Sequence, residues 1–259
     1  MPTSISSPSH RSLFVEVFFN ELRLGTATAF VARVRGGKHC YLVTNRHVVT
    51  GRNNDNGSCI NEYLAMPNML RVTHNLTEGG LGHFGSVDVK LYQGDVPGMG
   101  DELWFESVTL GSTADIVALR ISEDPSIALY PYEVEASTMQ YIEPGDTVNV
   151  IGFPFGEKTS PSFAVWSTGF VASEPAINHN GRPVFLIDCR GRKGQSGSPV
   201  IVPGGGTGLF RPKDERKIDN GNIHVLGVYS GRLNDQADLG YVWKSYVLSE
   251  LLLWADSQT

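Results

Sequence analysis

No run of about 18 consecutive apolar residues, the length a membrane-spanning helix needs, occurs anywhere in the sequence. A membrane partner is therefore not expected. There is no basic block either. Lys and Arg total 21 against 27 Asp and Glu, a net charge of −6, which argues against nucleic acid as the main partner. Cysteine is scarce: Cys40, Cys59 and Cys189 form an odd, widely spaced set without metal-ligand spacing. No disulfide framework, metal site or cofactor is expected from them. The opening residues, 1–11, are polar and serine-rich and lack the apolar core of a signal peptide. A disordered leader over residues 1–12 and a cytoplasmic location with reduced thiols are the expectations.

What the chain does have is apolar material and glycine. Hydrophobic residues make up 41% and charged residues 19%, enough apolar surface for a core and too little charge for a disordered chain. Glycine is in excess, 29 of 259 residues against a usual ~7%. With 14 prolines, that points to a turn-rich, mostly β chain of one large domain or two small ones.

Short apolar runs bounded by turn residues read as strands. They fall at residues 13–19, 26–34, 39–44, 87–92, 115–121, 147–151, 163–172, 184–188, 199–202, 224–230 and 240–243. Turn chemistry punctuates them at Gly36-Gly37, Pro144-Gly145-Asp146 and Gly204-Gly205-Gly206. Only Lys244–Asp256 has helical spacing, through Val247, Leu251, Leu252 and Trp254. The expected fold class is all-β: two six-stranded antiparallel barrels and a C-terminal helix. Residues 13–122 would form the first barrel, 123–143 a linker interrupted by prolines, and 144–259 the second barrel and helix. The polar stretches 51–80 and 213–222 read as surface excursions.

Three segments carry chemistry. Leu42–Val49 ends a strand and delivers His47 into a turn; Ala114–Leu119 sets Asp115 just before an apolar strand. Gly191–Val200 holds Ser196 near the tip of a glycine-rich loop that feeds a strand. Glycines beside a nucleophile let backbone N–H groups crowd a developing oxyanion. A serine hydroxyl needs a neighbouring base, and that base needs an orienting carboxylate. The order His, Asp, Ser is one of the known arrangements of that triad.

On these residues the sequence resembles the trypsin-like (chymotrypsin-fold) serine proteases, nearer the HtrA and glutamyl-endopeptidase branches than the digestive enzymes. Gly25–Val31 resembles the strand before the family's histidine, Pro144–Pro154 the opening of its second barrel, and Gln195–Val200 the nucleophile motif. Leu226–Gly231 resembles the strand lining the primary pocket. The resemblance implies a serine endopeptidase acting on protein or peptide substrates through an acyl-enzyme. His47 would be general base then acid, Asp115 its orienting carboxylate and Ser196 the nucleophile. The N–H groups of Gly194 and Ser196 would form an oxyanion hole, each donor worth about 2.7–4 kcal/mol. Ser230, Gly231 and Arg232 would pair with the substrate backbone as an added strand.

The departures from that pattern are informative. Gln195 stands where digestive members carry the aspartate of their activating ion pair, and Val48 replaces a disulfide cysteine. Arg190 lies six residues before Ser196, at the position that selects the P1 residue in trypsin-like members. A buried guanidinium there would favour an acidic P1 side chain; a small or apolar P1 stays open, since Asp235 or Asp238 could neutralise the nearby arginines. The basic loop 190–195 further suggests a latent protease that orders when substrate or an activating partner binds. An idle peptide-binding module on the same fold is the alternative function. No tandem PDZ-sized segment follows the final helix in this sequence.

Overall fold

The computed structural model describes residues 5–94, 100–121, 124–134, 142–202, 223–234 and 236–258. The excursion at 213–222, the glycines at 204–206 and Asp235 lie outside them. The first half of the chain builds β1 (Ser12–Phe19), β2 (Leu22–Val34), β3 (Tyr41–Thr44), β4 (Met69–Leu76), β5 (Phe84–Lys90), β6 (Trp104–Phe105), β7 (Val117–Arg120), β8 (Ile127–Ala128) and β9 (Tyr132–Val134). Their order is β5-β4-β1-β2-β3-β7-β6, with β8 beside β4 and β9 parallel to β2. The two ends of this sheet curl together beyond β5, where Tyr92 bridges Glu102 and the Leu103 N–H donates to the Leu91 carbonyl at 3.0 Å.

The second half forms a closed six-stranded barrel, ordered β10 (Thr147–Gly152), β11 (Val165–Val171), β12 (Val184–Asp188), β15 (Leu239–Lys244), β14 (His224–Arg232) and β13 (Pro199–Val202). Helix α3 (Ser245–Ser257) follows it. The fold is thus mostly β with a C-terminal helix.

Strand alternation explains why the apolar runs look nearly continuous. In β1, Leu13, Val15 and Val17 join the interior of the first half, while Phe14 faces the second. In β2, Ala27, Ala29 and Val31 point inward and Phe30, Ala32 and Val34 point to the interface. The period-two pleat sends each set to a different core. A third cluster around Val150, Phe185, Val200 and Leu226 fills the second barrel. The interface cluster includes Val247, Leu248, Leu251 and Leu252 of α3, so the helix seals the seam between the halves.

Three expected segments differ. The stretch 51–80 contains β4, whose Leu70, Val72 and His74 are buried between more exposed Arg71 and Thr73. A strand covered on one face by polar residues looks like a loop when only apolar runs are counted. The leader is not disordered over the residues described: α1 (Ser7–Arg11) forms one helical turn with Pro8 and His10 buried. It docks on the second half, the Trp166 indole N–H donating to Ser9 Oγ at 2.8 Å and the Ala164 N–H to the Ser9 carbonyl at 2.9 Å. The segment 123–143, read as a linker, supplies β8 and β9 to the first sheet.

Candidate active site

His47 is set by the end of β3. Asn45 begins α2 (Arg46–Thr50), and Gly51, at φ +66, closes the turn by donating its N–H to the His47 carbonyl at 3.0 Å. Asp115, 4% exposed, lies two residues before the start of β7, the strand that pairs with β3. The proximity of these two strands brings the side chains together. His47 Nδ1 lies 2.7 Å from Asp115 Oδ2, and the His47 backbone N–H donates to Oδ1 at 2.9 Å. Ser230 Oγ also donates to Oδ2, at 2.5 Å, and Asn45 Nδ2 donates to the Asp115 carbonyl at 2.7 Å. Both carboxylate oxygens are therefore occupied, and the imidazole is held in one orientation. Burial pulls the His47 pKa down, but the Asp115 charge and its hydrogen bond outweigh that and leave it above the ordinary 6.5.

Ser196 is carried by the turn between β12 and β13. Its flanking glycine Gly197, at φ +84, lies so close to the histidine strand that a Cβ would sit 2.2 Å from the Thr28 carbonyl and 2.4 Å from Thr44 Oγ1. Only glycine admits that approach. Gly194, at φ +92, is equally confined, since a Cβ there would meet the Phe153 carbonyl at 2.3 Å. The loop is tied internally by the buried Gln195. Its Oε1 accepts the Arg192 N–H at 2.8 Å and its Nε2 donates to Ser167 Oγ at 2.8 Å. The buried amide thus ties the loop to itself and to β11 by neutral hydrogen bonds.

Two carbonyls of the loop are pulled away from the serine. The Lys193 carbonyl accepts the Phe155 N–H at 2.5 Å, and the Gly194 carbonyl accepts the Thr28 hydroxyl at 2.8 Å. The N–H groups of Gly194 and Ser196 find no acceptor among the described residues. They are the two donors expected of an oxyanion hole. Phe155 holds its position at a cost: it has φ +57 and is 67% exposed, a left-handed conformation that costs a bulky residue roughly 1–2 kcal/mol.

His47, Asp115, Ser196, Ser230, Gly231 and Arg232 all line one cleft of about 510 Å³ between the halves. Arg190 does not. It is exposed on the outer side of the loop, next to buried Cys189, and is absent from that lining. The Gly191 N–H turns back onto the Cys189 carbonyl at 2.6 Å, and Gly191 abuts Tyr229, whose hydroxyl would be 1.6 Å from a Cβ there. This tight turn directs Arg190 outward. The cations in the cleft are Arg182, Arg192, Lys193 and Arg232. Arg192 meets Asp238 at 3.4 Å, and Arg182 meets Asp55 from the first half at 2.5 Å.

Sequence reasoning missed the side-chain role of Ser230 on Asp115 and the whole contribution of Arg182, Asp55 and Thr28. Ser230 and Thr28 stood in segments already singled out, but their side-chain contacts depend on distant chain; those of Arg182 and Asp55 depend on which loops meet, and no local pattern marks them. No group of three or more His, Cys, Asp or Glu with metal-site geometry occurs among the described residues. None of the three cysteines is in a disulfide, and no described helix is long and apolar enough to cross a membrane.

Comparison with known proteins agrees with this architecture. The chain is similar to the HtrA-type protease AlgW solved with a tripeptide, with 13% identity and a TM-score of 0.55 over 96% of this chain and 61% of that one. It is also similar to a serine endoprotease from Yersinia pestis, with 13% identity and a TM-score of 0.54 over 99% of this chain and 68% of the other. The Rv3671c protease of M. tuberculosis in its active form matches with 18% identity and a TM-score of 0.48, covering 95% and 81% of the two chains. At 13% identity the first two likenesses are ones of fold. No curated protein matches the sequence. The family model for the trypsin-like peptidase domain matches residues 27–207, more than half of the chain and the whole of the His47, Asp115 and Ser196 framework, and the chain therefore belongs to the trypsin-like peptidase family of serine proteases.

Proposed function

We propose that the protein is a serine endopeptidase that cleaves protein or peptide substrates through an acyl-enzyme on Ser196. His47 takes the serine proton during attack and returns it to the leaving amine; Asp115 orients the imidazole and stabilises its charged form. The Gly194 and Ser196 N–H groups receive the charge that develops on the carbonyl oxygen. The observation that carries this reading is the 2.7 Å contact of His47 Nδ1 with a fully engaged Asp115 carboxylate, in the same cleft as Ser196. Labelling by a fluorophosphonate, lost in Ser196→Ala, tests it. A folded protein that takes no label would favour the idle peptide-binding module instead.

An acidic P1 preference is part of the proposal, carried now by Arg192 and Arg232 rather than by Arg190. Both line the cleft beside Ser230 and Gly231, the segment proposed to pair with the substrate backbone. The apolar surface of Val184, Tyr241 and Trp243 in the same cleft would suit the opposing, apolar preference, and a peptide library varied at P1 decides between them. The latent state proposed for the loop takes a definite form as well. Latency would require breaking the Phe155–Lys193 and Thr28–Gly194 hydrogen bonds, and a lag in product formation that an activating partner removes would reveal it.

A further inference from the structure

Thr28 lies within β2, is wholly buried, and belongs to no part of the triad or of the substrate-pairing segment. All its hydrogen-bonding groups are engaged. Its N–H donates to the Ser196 carbonyl at 2.9 Å and its carbonyl accepts the Thr44 hydroxyl at 2.9 Å. Its own hydroxyl accepts the Phe153 N–H at 3.1 Å and donates to the Gly194 carbonyl at 2.8 Å. One residue thus joins the histidine strand, both sides of the nucleophile loop and the turn after β10. Gly152 leaves the room for this: a Cβ there would lie 2.7 Å from Thr28 Oγ1 and 2.0 Å from Ser198 Oγ.

The consequence falls on the Lys193–Gly194 peptide. The carbonyl ahead of Gly194 is fixed by the Phe155 N–H, and the carbonyl after it by the Thr28 hydroxyl. The only cis bond among the described residues is Ser160–Pro161, so this peptide is trans and its N–H points opposite to its carbonyl. With both neighbouring carbonyls anchored and φ at +92, the Gly194 N–H is left one direction, away from Phe155. We propose that Thr28 is a positioning residue for catalysis: its hydroxyl, acting through Gly194, sets the oxyanion donor in register with the serine that its own backbone N–H holds. The inference rests on the serine-protease reading above. It gives the first half of the chain a hand in the electrophilic side of the reaction as well as in the proton-transfer side.

The test compares Thr28→Val, which keeps the shape and removes the hydroxyl, with Thr28→Ser, which keeps the hydroxyl. Steady-state cleavage of a peptide substrate gives kcat and KM, and affinity for the uncleaved peptide is measured with each change in a Ser196→Ala background. Small misplacements of a catalytic donor cost up to about 100-fold. Thr28→Val should therefore lower kcat about 10- to 100-fold with KM within about twofold, and Thr28→Ser should restore kcat to within about threefold. Peptide affinity in the Ser196→Ala background should not change, which a collapsed cleft would not allow. Should Thr28→Val fail to fold, Thr28→Ala, which relieves rather than adds bulk, is read in the same way. A folded Val or Ala variant with unaltered kcat overturns the proposal, as does a Ser variant impaired as badly as Val. If the unmodified protein neither cleaves peptide nor takes label at Ser196, it is the protease reading that fails, a result distinct from normal turnover in the variants.

Discussion

In the first half of the chain, the pair proposed for proton transfer is joined by bonds that begin and end near one sheet. His47 contacts Asp115 through both its ring and its backbone, and Asn45, two residues away, grips the Asp115 carbonyl. Among the described residues, only Ser230 reaches in from outside. In the second half, Ser196 sits in a loop whose key bonds come from elsewhere: from Thr28 across the interface, from the turn at Phe155, and from Ser167 on β11. The pair proposed for proton transfer is therefore almost a property of one half, and the proposed nucleophile with its proposed oxyanion donors is a property of the seam. Substitutions at His47, Asp115 and Asn45 should alter proton transfer with the cleft intact, whereas those at Thr28 and around the loop should alter transition-state binding.

The largest effect joins the two halves. Ser196→Ala should lower kcat about 10⁶-fold, since triad members act as a unit, while an uncleaved peptide binds as before. Calorimetry of binding beside a cleavage assay checks both statements. Asp115→Asn comes next, at about 10⁴-fold in kcat. Its pH profile separates the halves. The raised His47 pKa means the imidazole stays protonated to higher pH. Activity needs it neutral, so kcat/KM should fall as pH drops through a midpoint above 6.5, the ordinary value. Removing the Asp115 charge leaves burial as the dominant influence, and the midpoint of the residual activity should move down. An unchanged midpoint would break the idea of a self-contained proton-transfer pair.

How much of this was readable beforehand depends on how local each feature is. That His47, Asp115 and Ser196 line one cleft could be anticipated because the proposed chemistry asks for a turn after a strand, an acid before a strand and glycines around a serine, each visible within a few residues. The strands were legible wherever both faces are buried, as in β1 and β2. β4 was not, because Arg71 and Thr73 break its apolar run. Arg190 misled because a fixed spacing from the nucleophile stands in for position only while the intervening turn is kept. Here the Gly191–Cys189 turn carries that side chain to the outside. Thr28 and Arg182 were out of reach, since their roles come from contacts with residues 166 and 127 positions away.

A smaller effect should follow from the cleft cations of the second half. Converting Arg192 and Arg232 together to Gln removes two candidate partners of a substrate carboxylate. A hydrogen bond to a charged group is worth roughly 1.5–3 kcal/mol, so kcat/KM for a peptide with Glu at P1 should drop about 10- to 100-fold. The matched Gln peptide should be little affected. Equal losses on the two peptides would mean that the arginines hold the loop rather than read the substrate.

The smallest effect tests the ion pair between Asp55 and Arg182, which joins the two halves across the cleft. Asp55 and Arg182 meet at 2.5 Å, with side chains 65% and 32% exposed, and both line the cleft. An exposed pair of this kind contributes about 0.2–1 kcal/mol and weakens with salt. Asp55→Asn should thus shift Tm by no more than about 3 °C. Its effect on substrates should run the other way. Arg182, which also lies over the Tyr241 ring at 5.1 Å, is neutralised by Asp55 in the unliganded cleft, and an acidic substrate must compete with that carboxylate. Without it, peptides carrying an acidic residue should bind a few-fold more tightly at low salt, with neutral peptides unchanged and the difference fading as salt rises. A larger Tm loss with no change in affinity would make the pair a strut between the halves, and the dependence of the second half on the first would then extend to the cleft itself.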